Sequence, residues 1–171
     1  MTNIIGISGW SGSGKTKLIT NLIKFFKDNY SLKVCALKHA HHTFELDQKG
    51  KDSQKMFAAG ANQVIIASSK QWAIINKIDN EEPPLEELLR HSKDNIDIIL
   101  VEGWKFSKIK KIEVYRKVLK KEMLSGQDKN FIAIATDEKK LSIKAKIPIL
   151  NINDTRQIGN FILKILNINN V

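Results

Sequence analysis

The feature that most constrains this chain is a glycine-rich loop that follows an apolar strand and precedes an amphipathic helix. Its spacing is G-x-x-x-x-G-K-[ST], which in this strand-to-helix context is the pattern of a phosphate-binding P-loop. The loop residues are Gly9, Trp10, Ser11, Gly12, Ser13, Gly14, Lys15 and Thr16. Because glycines allow the backbone to turn its amide hydrogens inward, the loop predicts a cradle for the phosphates of a nucleotide.

The last two loop residues carry side chains suited to a triphosphate and its metal ion. We expect Lys15 to reach the β- and γ-phosphates, while the N-terminus of the following helix adds a partial positive charge. The Thr16 hydroxyl is a suitable ligand for Mg²⁺, which takes few protein ligands and keeps much of its water. The sequence therefore predicts a site for a nucleoside triphosphate with Mg²⁺.

Such a site also requires a carboxylate at the end of a neighbouring buried strand. Glu102 lies at the carboxyl end of the apolar run 96–101, where open α/β sheets bind ligands, whereas Asp97 lies near its start and is expected to cap or to face solvent. Asp52 is expected as a second carboxylate, because the segment before its helix must cross the phosphate end of the sheet. The predicted metal ligands are Thr16, Asp52 and Glu102, and the predicted catalytic residues are Lys15, Asp52 and Glu102.

Strand and helix patterns alternate along the chain. Apolar β-branched runs predict strands at 4–8, 33–37, 63–67, 72–76, 96–101, 112–115, 131–135 and 148–151. Helical periodicity predicts helices at 16–28, 52–59, 85–91 and 155–166. The third and fourth strands are too close for a helix between them and predict a hairpin that turns near 68–70. The predicted fold class is α/β, a P-loop NTPase with a mostly parallel twisted sheet flanked by helices and a β-hairpin insertion, in one domain over 1–171.

Length and charge narrow the class of protein further. A chain of 171 residues can bury a proper core, and no apolar run is long enough to span a bilayer. The chain passes straight into an apolar strand without a basic leader, so we expect a cytoplasmic protein. The net charge of +10 favours anionic partners, but arginine occurs only at Arg90, Arg116 and Arg156, so nucleic acid is not expected among them.

Two polar clusters leave alternatives open. His39, His41 and His42 follow the second strand and form either a polar loop or a loop beside bound phosphate and Mg²⁺; a zinc site would want further ligands at recognisable spacing. The stretch 105–121 is rich in lysine, with Glu113 as its only acid. It is either a solvated edge strand protected by lysines or a docking surface for an anionic partner or a phosphorylated cofactor.

Asp137 is the residue predicted to select the base. It follows the strand 131–135, at the edge of the sheet where a base would lie, and a carboxylate there accepts hydrogen bonds from N1 and N2 of guanine but not from adenine. The alternative is that Asp137 caps the turn into 138–140. The segment 76–79 reads like the NKxD guanine motif, but it precedes Glu102 and is interpreted as the end of the hairpin.

Several segments together resemble the molybdopterin-guanine dinucleotide biosynthesis protein B (MobB) family of GTP-binding proteins. Besides the P-loop they are LKHAHH at 37–42, Asp47 with GKDS at 50–53, AGA at 59–61, LVEGWK at 100–105 and KIEVYR at 111–116. The chain departs from the family pattern at Lys49 and Lys111, where proline is usual, and at Trp104, where phenylalanine is usual. These departures bear on loop shape and cofactor docking more than on nucleotide binding.

The resemblance implies a dimeric accessory protein that binds GTP with Mg²⁺, hydrolyses it weakly and assists the attachment of GMP to molybdopterin. Molybdopterin and the guanylyltransferase of the same pathway are the partners it implies. We expect the hairpin at 63–76, with Trp72 beside Gln71, to form the homodimer contact. The alternative function is a small-molecule kinase of the dethiobiotin-synthetase kind, which shares this architecture and differs only in its site.

Overall fold

A computed structural model of the chain describes residues 3–40, 52–78, 81–92, 94–138, 141 and 147–168. The chain divides into two compact units, the first made of 1–39 and 89–171 and the second of 40–88. In chain order the strands are β1 (Ile4–Ser8), β2 (Val34–Lys38), β3 (Gln63–Ala67), β4 (Trp72–Asn76), β5 (Ile98–Glu102), β6 (Lys111–Tyr115), β7 (Phe131–Thr136) and β8 (Ile149–Asn151). The α-helices are α1 (Lys15–Tyr30), α2 (Asp52–Ala58), α3 (Leu85–Leu89) and α4 (Thr155–Ile165).

The first unit is built on a six-stranded sheet in the order β2-β5-β1-β6-β7-β8, and every pair of neighbours is parallel. β5 is buried at all five positions, as a strand covered on both faces requires. The predicted fold class is confirmed, including the mostly parallel sheet flanked by helices. Because all six strands run the same way, their carboxyl ends meet at one edge of the sheet.

Helices α1 and α4 pack on the sheet and on each other. α1 buries Leu18, Ile19, Leu22 and Phe26, which recur at helical spacing along one face. Close contact with α4 depends on Gly159, because a Cβ at that position would lie 2.3 Å from the Phe25 ring. Packing against the sheet and α4 therefore holds α1 in place, and the first two residues of α1 are the last two of the P-loop.

One of the two interpretations of the basic stretch 105–121, a solvated edge strand, is wrong: the strand in this stretch, β6, is not at an edge of the sheet. β6 lies between β1 and β7, and its first residue, Lys111, is fully buried. Six hydrogen-bonded strands place β6 inside the sheet, and lysine protection applies only to an unpaired edge. Lys111 can be buried because its ammonium group has hydrogen-bond partners on segments outside the strand.

The second unit contains the predicted hairpin with the predicted bounds. β3 and β4 pair antiparallel from Gln63 opposite Asn76 to Ala67 opposite Trp72, and the Ser68 hydroxyl accepts hydrogen bonds from the amides of Lys70 and Gln71 at the turn. Val64 is the only residue of either strand that is buried. No helix in the described part of the chain combines the length and apolar character needed to cross a membrane.

Candidate functional site: the P-loop edge of the parallel sheet

The P-loop spans the gap between β1, which ends at Ser8, and α1, which begins at Lys15. Gly12 and Gly14 have φ angles of 78° and 97°, a backbone region that side chains disfavour. The Ser13 amide donates to the Trp10 carbonyl at 3.2 Å, which closes the loop on itself. The Ser13 hydroxyl is buried and has no hydrogen-bond partner among the described residues. The glycines of the motif thus allow the compact turn that the sequence predicted.

Lys15 folds back over its own loop. Its Nζ donates to the Trp10 carbonyl at 2.9 Å. Burial lowers the pKa of Lys15; the nearby Glu102 carboxylate opposes this shift, while Lys105 and Lys38 add to it. A bound phosphate that replaced the Trp10 carbonyl as acceptor would favour the charged form of this ammonium group. The Lys15 ammonium group therefore lies on the P-loop backbone, close enough to Glu102 for that carboxylate to stabilise its charge.

Thr16 and Glu102 come together at the start of α1. The Thr16 hydroxyl donates to Oε1 of Glu102 at 2.7 Å, although 86 residues separate them in sequence. Glu102 ends β5, next to β1 in the sheet, and its exposed fraction is 9%. Two neighbouring Mg²⁺ ligands at 2.0–2.1 Å from the ion lie about 2.9 Å apart, so these two oxygens fit such an ion. Asp97, at the other end of the run, is exposed and accepts from the Lys33 amide at 2.7 Å, as expected.

Asp52 is the remaining predicted metal ligand. Asp52 begins α2 in the second unit, is exposed and pairs with Lys55 at 3.1 Å. His41 and His42 lie outside the described residues, as do Asp47, Lys49, Gly50 and Lys51 of the family motifs. Within the described ranges no three His, Cys, Asp or Glu side chains are grouped to hold a metal. The role of Asp52 in a metal site stays a prediction.

The edge between β2 and β5 is shaped by His39 and Trp104. The His39 amide donates to the Glu102 carbonyl at 2.9 Å, and its ring stacks on the Trp104 ring with centroids 4.8 Å apart. A Cβ on Gly103 would lie 2.8 Å from the Cβ of His39, so glycine is required between the two. The first histidine of the predicted cluster therefore lies beside the end of the Glu102 strand.

Asp137 follows β7 and is held by an arginine that the sequence analysis did not assign to the site. Nη1 of Arg116 forms an ion pair with Oδ2 of Asp137, and Nε of Arg116 donates to the Ser13 carbonyl at 3.4 Å. Arg116 follows β6, which pairs with β1 on one side and β7 on the other. The sequence contained one indication of this role: Arg116 occupies the same position after its strand as the P-loop does after β1.

Trp10 contacts three residues that lie outside the P-loop. Its indole N–H donates to the Glu122 carbonyl at 2.8 Å. The ammonium groups of Lys105 and Lys121 lie 4.3 and 5.7 Å from the centroid of its ring, within the range of cation–π attraction. Two lysines of the basic stretch therefore lie directly at the P-loop, as an anion-docking surface requires.

Two buried charges of β6 hold the loops that carry these contacts. Lys111 Nζ donates to the carbonyls of Lys105 and Ser107, both at 2.7 Å, and to Oδ2 of Asp128 at 2.6 Å. The two Glu113 carboxylate oxygens accept from the amides of Leu124 and Ser125 at 2.7 and 2.8 Å. Both side chains are fully paired despite complete burial. β6 thus anchors the segments before and after it, which carry Lys105 and Glu122.

Comparison with known proteins is consistent with this geometry. The family model described as molybdopterin guanine dinucleotide synthesis protein B matches residues 4–137. The chain is 36% identical over 161 residues to the molybdopterin-guanine dinucleotide biosynthesis adapter protein of Haemophilus influenzae, covering 93% of this chain and 86% of that protein. It is 33% identical over 169 residues to the adapter protein of the same name from Escherichia coli, covering 96% and 93%.

The fold agrees with solved structures. The crystal structure of Bacillus subtilis MobB superposes with a TM-score of 0.70 at 24% sequence identity, over 95% of this chain and 96% of that one. At this identity the likeness speaks for the fold, while the family model and the two relatives speak for the family. On these grounds the chain belongs to the molybdopterin guanine dinucleotide synthesis protein B (MobB) family.

Proposed function

We propose that this protein is a GTP-binding accessory protein in the synthesis of molybdopterin guanine dinucleotide, with weak GTP hydrolysis of its own. The observation that carries the proposal is the P-loop edge, where Lys15 and the Thr16–Glu102 pair flank one glycine-rich turn. Membership of the family and the adapter role named for its relatives support the pathway. The partners we propose are molybdopterin and the guanylyltransferase that uses it, in the cytoplasm.

The loop residues 9–16 are proposed to bind the triphosphate. Its backbone amides and the start of α1 present positive partial charges, and Lys15 would exchange its bond to the Trp10 carbonyl for one to a phosphate. Thr16 and Glu102 are proposed to hold Mg²⁺, which neutralises phosphate charge when bound, and Asp52 stays proposed as a further carboxylate ligand. Glu102 accepts from Thr16, which supports a role on the metal side of the site, and Lys15, Asp52 and Glu102 are the residues proposed to support hydrolysis.

The test of the triphosphate site is Lys15→Ala with Lys17→Ala as the matched control. Both are lysines near the start of α1, but Lys17 is exposed, whereas Lys15 is half-buried and donates to the Trp10 carbonyl. Loss of a charge-assisted contact should weaken GTP binding by roughly 10- to 100-fold in Lys15→Ala alone. Calorimetric titration with GTP measures the effect, and equal affinity of the two variants would refute the P-loop proposal.

The metal side of the site is tested by Glu102→Gln and Asp52→Asn, with Asp97→Asn as control at the opposite end of the β5 run. The first two should reduce the gain in GTP affinity on adding Mg²⁺, while affinity in a chelator changes little. The control should keep the full gain. Wild-type hydrolysis and Mg²⁺ dependence in both Glu102→Gln and Asp52→Asn would show that other carboxylates hold the metal.

The protein is also proposed to form a symmetric dimer through the β3–β4 hairpin. The hairpin exposes large apolar side chains, with exposed fractions of 61% for Ile65, 58% for Trp72 and 39% for Ile74. A contiguous exposed apolar surface of this kind marks a contact site. A second copy is the partner that twofold symmetry supplies most simply, and sedimentation at working concentration tests it.

A further inference from the structure

We propose that Arg116 sets the base specificity of the nucleotide site by holding Asp137 in position to read guanine. Arg116 is then a positioning residue for Asp137, tied at the same time to the phosphate loop. The inference rests on the proposed function, because it assumes that the P-loop binds a nucleoside triphosphate. It adds a residue and a selection step that the P-loop motif itself does not contain.

Arg116 is held on two sides, by Asp137 and by the P-loop backbone. Nη1 pairs with Oδ2 of Asp137, and Nε donates to the carbonyl of Ser13 within the P-loop. Nη2 lies 3.8 Å from the position of a Cβ on Gly14 and donates to none of the described residues. The guanidinium therefore links the carboxylate after β7 directly to the loop after β1.

A nucleotide bound at the P-loop is expected to extend from the loop toward the ends of β6 and β7. On one side of β1, the end of β5 carries Glu102, which is taken up with Thr16 at the metal end of the triphosphate. The other side of β1 is β6, followed by β7. Strands lie about 4.8 Å apart, so the ends of β6 and β7 are about 5 and 10 Å from the end of β1. The ribose and base are expected over Arg116 and Asp137.

The pairing with Arg116 leaves one oxygen of the Asp137 carboxylate available to a base. Asp137 uses Oδ2 for Arg116, and within the described residues Oδ1 accepts no hydrogen bond. Guanine offers N–H donors at N1 and N2, which a fixed carboxylate accepts, whereas adenine offers an acceptor at N1. A carboxylate discriminates only if its position is fixed, and the rigid guanidinium plane can hold the Ser13 carbonyl and Oδ2 of Asp137 at the same time, which the single ammonium group of a lysine does less well. Asp137 and Arg116 are partly exposed, at 38% and 27%, so a ligand can reach them.

The experiment measures binding of GTP, ITP and ATP to the wild type and to Arg116→Gln, Arg116→Lys and Asp137→Asn. ITP lacks only the N2 amino group of guanine, so the GTP-to-ITP ratio reports the proposed contact. The matched control is Arg156→Gln, an exposed arginine on α4. We expect wild type and control to prefer GTP over ITP by roughly 10-fold, the worth of one hydrogen bond to a charged group.

In all three test variants the GTP-to-ITP and GTP-to-ATP ratios should fall toward one, while the affinity for ATP stays within about twofold of wild type. The double variant Arg116→Gln with Asp137→Asn should lose no more selectivity than either single variant, because the two act as one unit. Unfolding curves confirm that each variant is folded, and Arg116→Lys keeps the test available if Arg116→Gln is not.

Three results would overturn the inference. Equal weakening of all three nucleotides in Arg116→Gln would assign Arg116 to the phosphates, and unchanged ratios would remove it from base selection. Equal affinity of the wild type for GTP and ITP would also refute it, while the proposed binding function stands. Failure of the wild type to bind any nucleotide refutes the proposed function itself, and that result is distinct from the others.

Discussion

Strands β5 and β3 have the same length and similar composition, yet their surroundings differ completely. β5 reads IILVE and is buried at every position, whereas β3 reads QVIIA and is buried only at Val64. β5 lies between two parallel neighbours under helices, while β3 has one antiparallel partner. Isoleucine in the sheet is therefore used for folding, and isoleucine in the hairpin remains available for association. Strand-forming composition alone does not distinguish the two uses.

The largest expected difference in unfolding free energy is between an isoleucine-to-alanine substitution in β5 and one in β3. Ile99→Ala removes a fully buried side chain from β5 and should lower the free energy of unfolding by about 2–5 kcal/mol. Ile65→Ala, at 61% exposure in β3, should change it by about 0.5 kcal/mol at low protein concentration. Urea unfolding followed by circular dichroism measures both. Equal losses would mean that the hairpin is as much a part of the core as the sheet.

A smaller difference is expected between two ion pairs. Asp128→Asn weakens the partner of buried Lys111 and should cost about 1–3 kcal/mol, because an ammonium group is left poorly paired in the sheet. Asp52→Asn breaks an exposed pair with Lys55 and should cost less than about 0.5 kcal/mol. The same urea experiment compares them, and a negligible cost for Asp128→Asn would contradict the buried-pair interpretation.

The Asp128 pair also predicts a response to acid. Burial raises the pKa of Asp128, but the hydrogen bond from Lys111, the hydrogen bonds from Asn130 and the Lys111 charge outweigh it, and the net shift is downward. A lowered folded-state pKa gives stability that is present above the unfolded value, near 3.9, and is lost as pH falls through the folded value. The wild type should therefore lose part of its advantage over Asp128→Asn below about pH 4. A constant difference from pH 7 to pH 3 would contradict this.

The smallest expected effect on folding belongs to the association surface. Ile65→Lys with Ile74→Glu should leave the unfolding free energy of the separate chain nearly unchanged, because both side chains are exposed and the two introduced charges, which lie opposite each other in the hairpin, have opposite sign. It should shift the sedimenting mass from dimer to monomer. Val118→Lys, an equally apolar and 81% exposed position in the first unit, is the control and should stay dimeric. A dimer that survives in the hairpin variant would place the contact elsewhere.

Local patterns predicted the fold and the phosphate side of the site. The hairpin bounds are as predicted, since turn chemistry at Ser68 and the strand pattern are both local. The P-loop was predicted because its spacing fixes backbone geometry directly, and Glu102 was predicted to lie at the phosphate edge because parallel strands end there. These inferences require only neighbours along the chain or the polarity of a strand.

The features that the sequence did not reveal depend on distant partners. The burial of Lys111 requires acceptors on Lys105, Ser107 and Asp128, and nothing in the composition of the basic stretch separates this lysine from exposed ones. Arg116 meets Ser13 across 103 residues of sequence. Side-chain pairing across that separation is decided by strand order, which a single sequence leaves open.

Trp10 gives the protein an optical reporter inside its own phosphate loop. Its indole is half-buried, bonded to the Glu122 carbonyl and flanked by the ammonium groups of Lys105 and Lys121, so its emission depends on how those charges are arranged. Drawing either lysine toward a bound anion would change the electric field across the ring and shift the emitted wavelength. Trp72, at 58% exposure in the hairpin, serves as an internal reference for association. Because Trp104 at the end of the Glu102 strand also emits, variants that keep only Trp10 or only Trp72 would follow loop occupancy and assembly separately, by fluorescence, without a label.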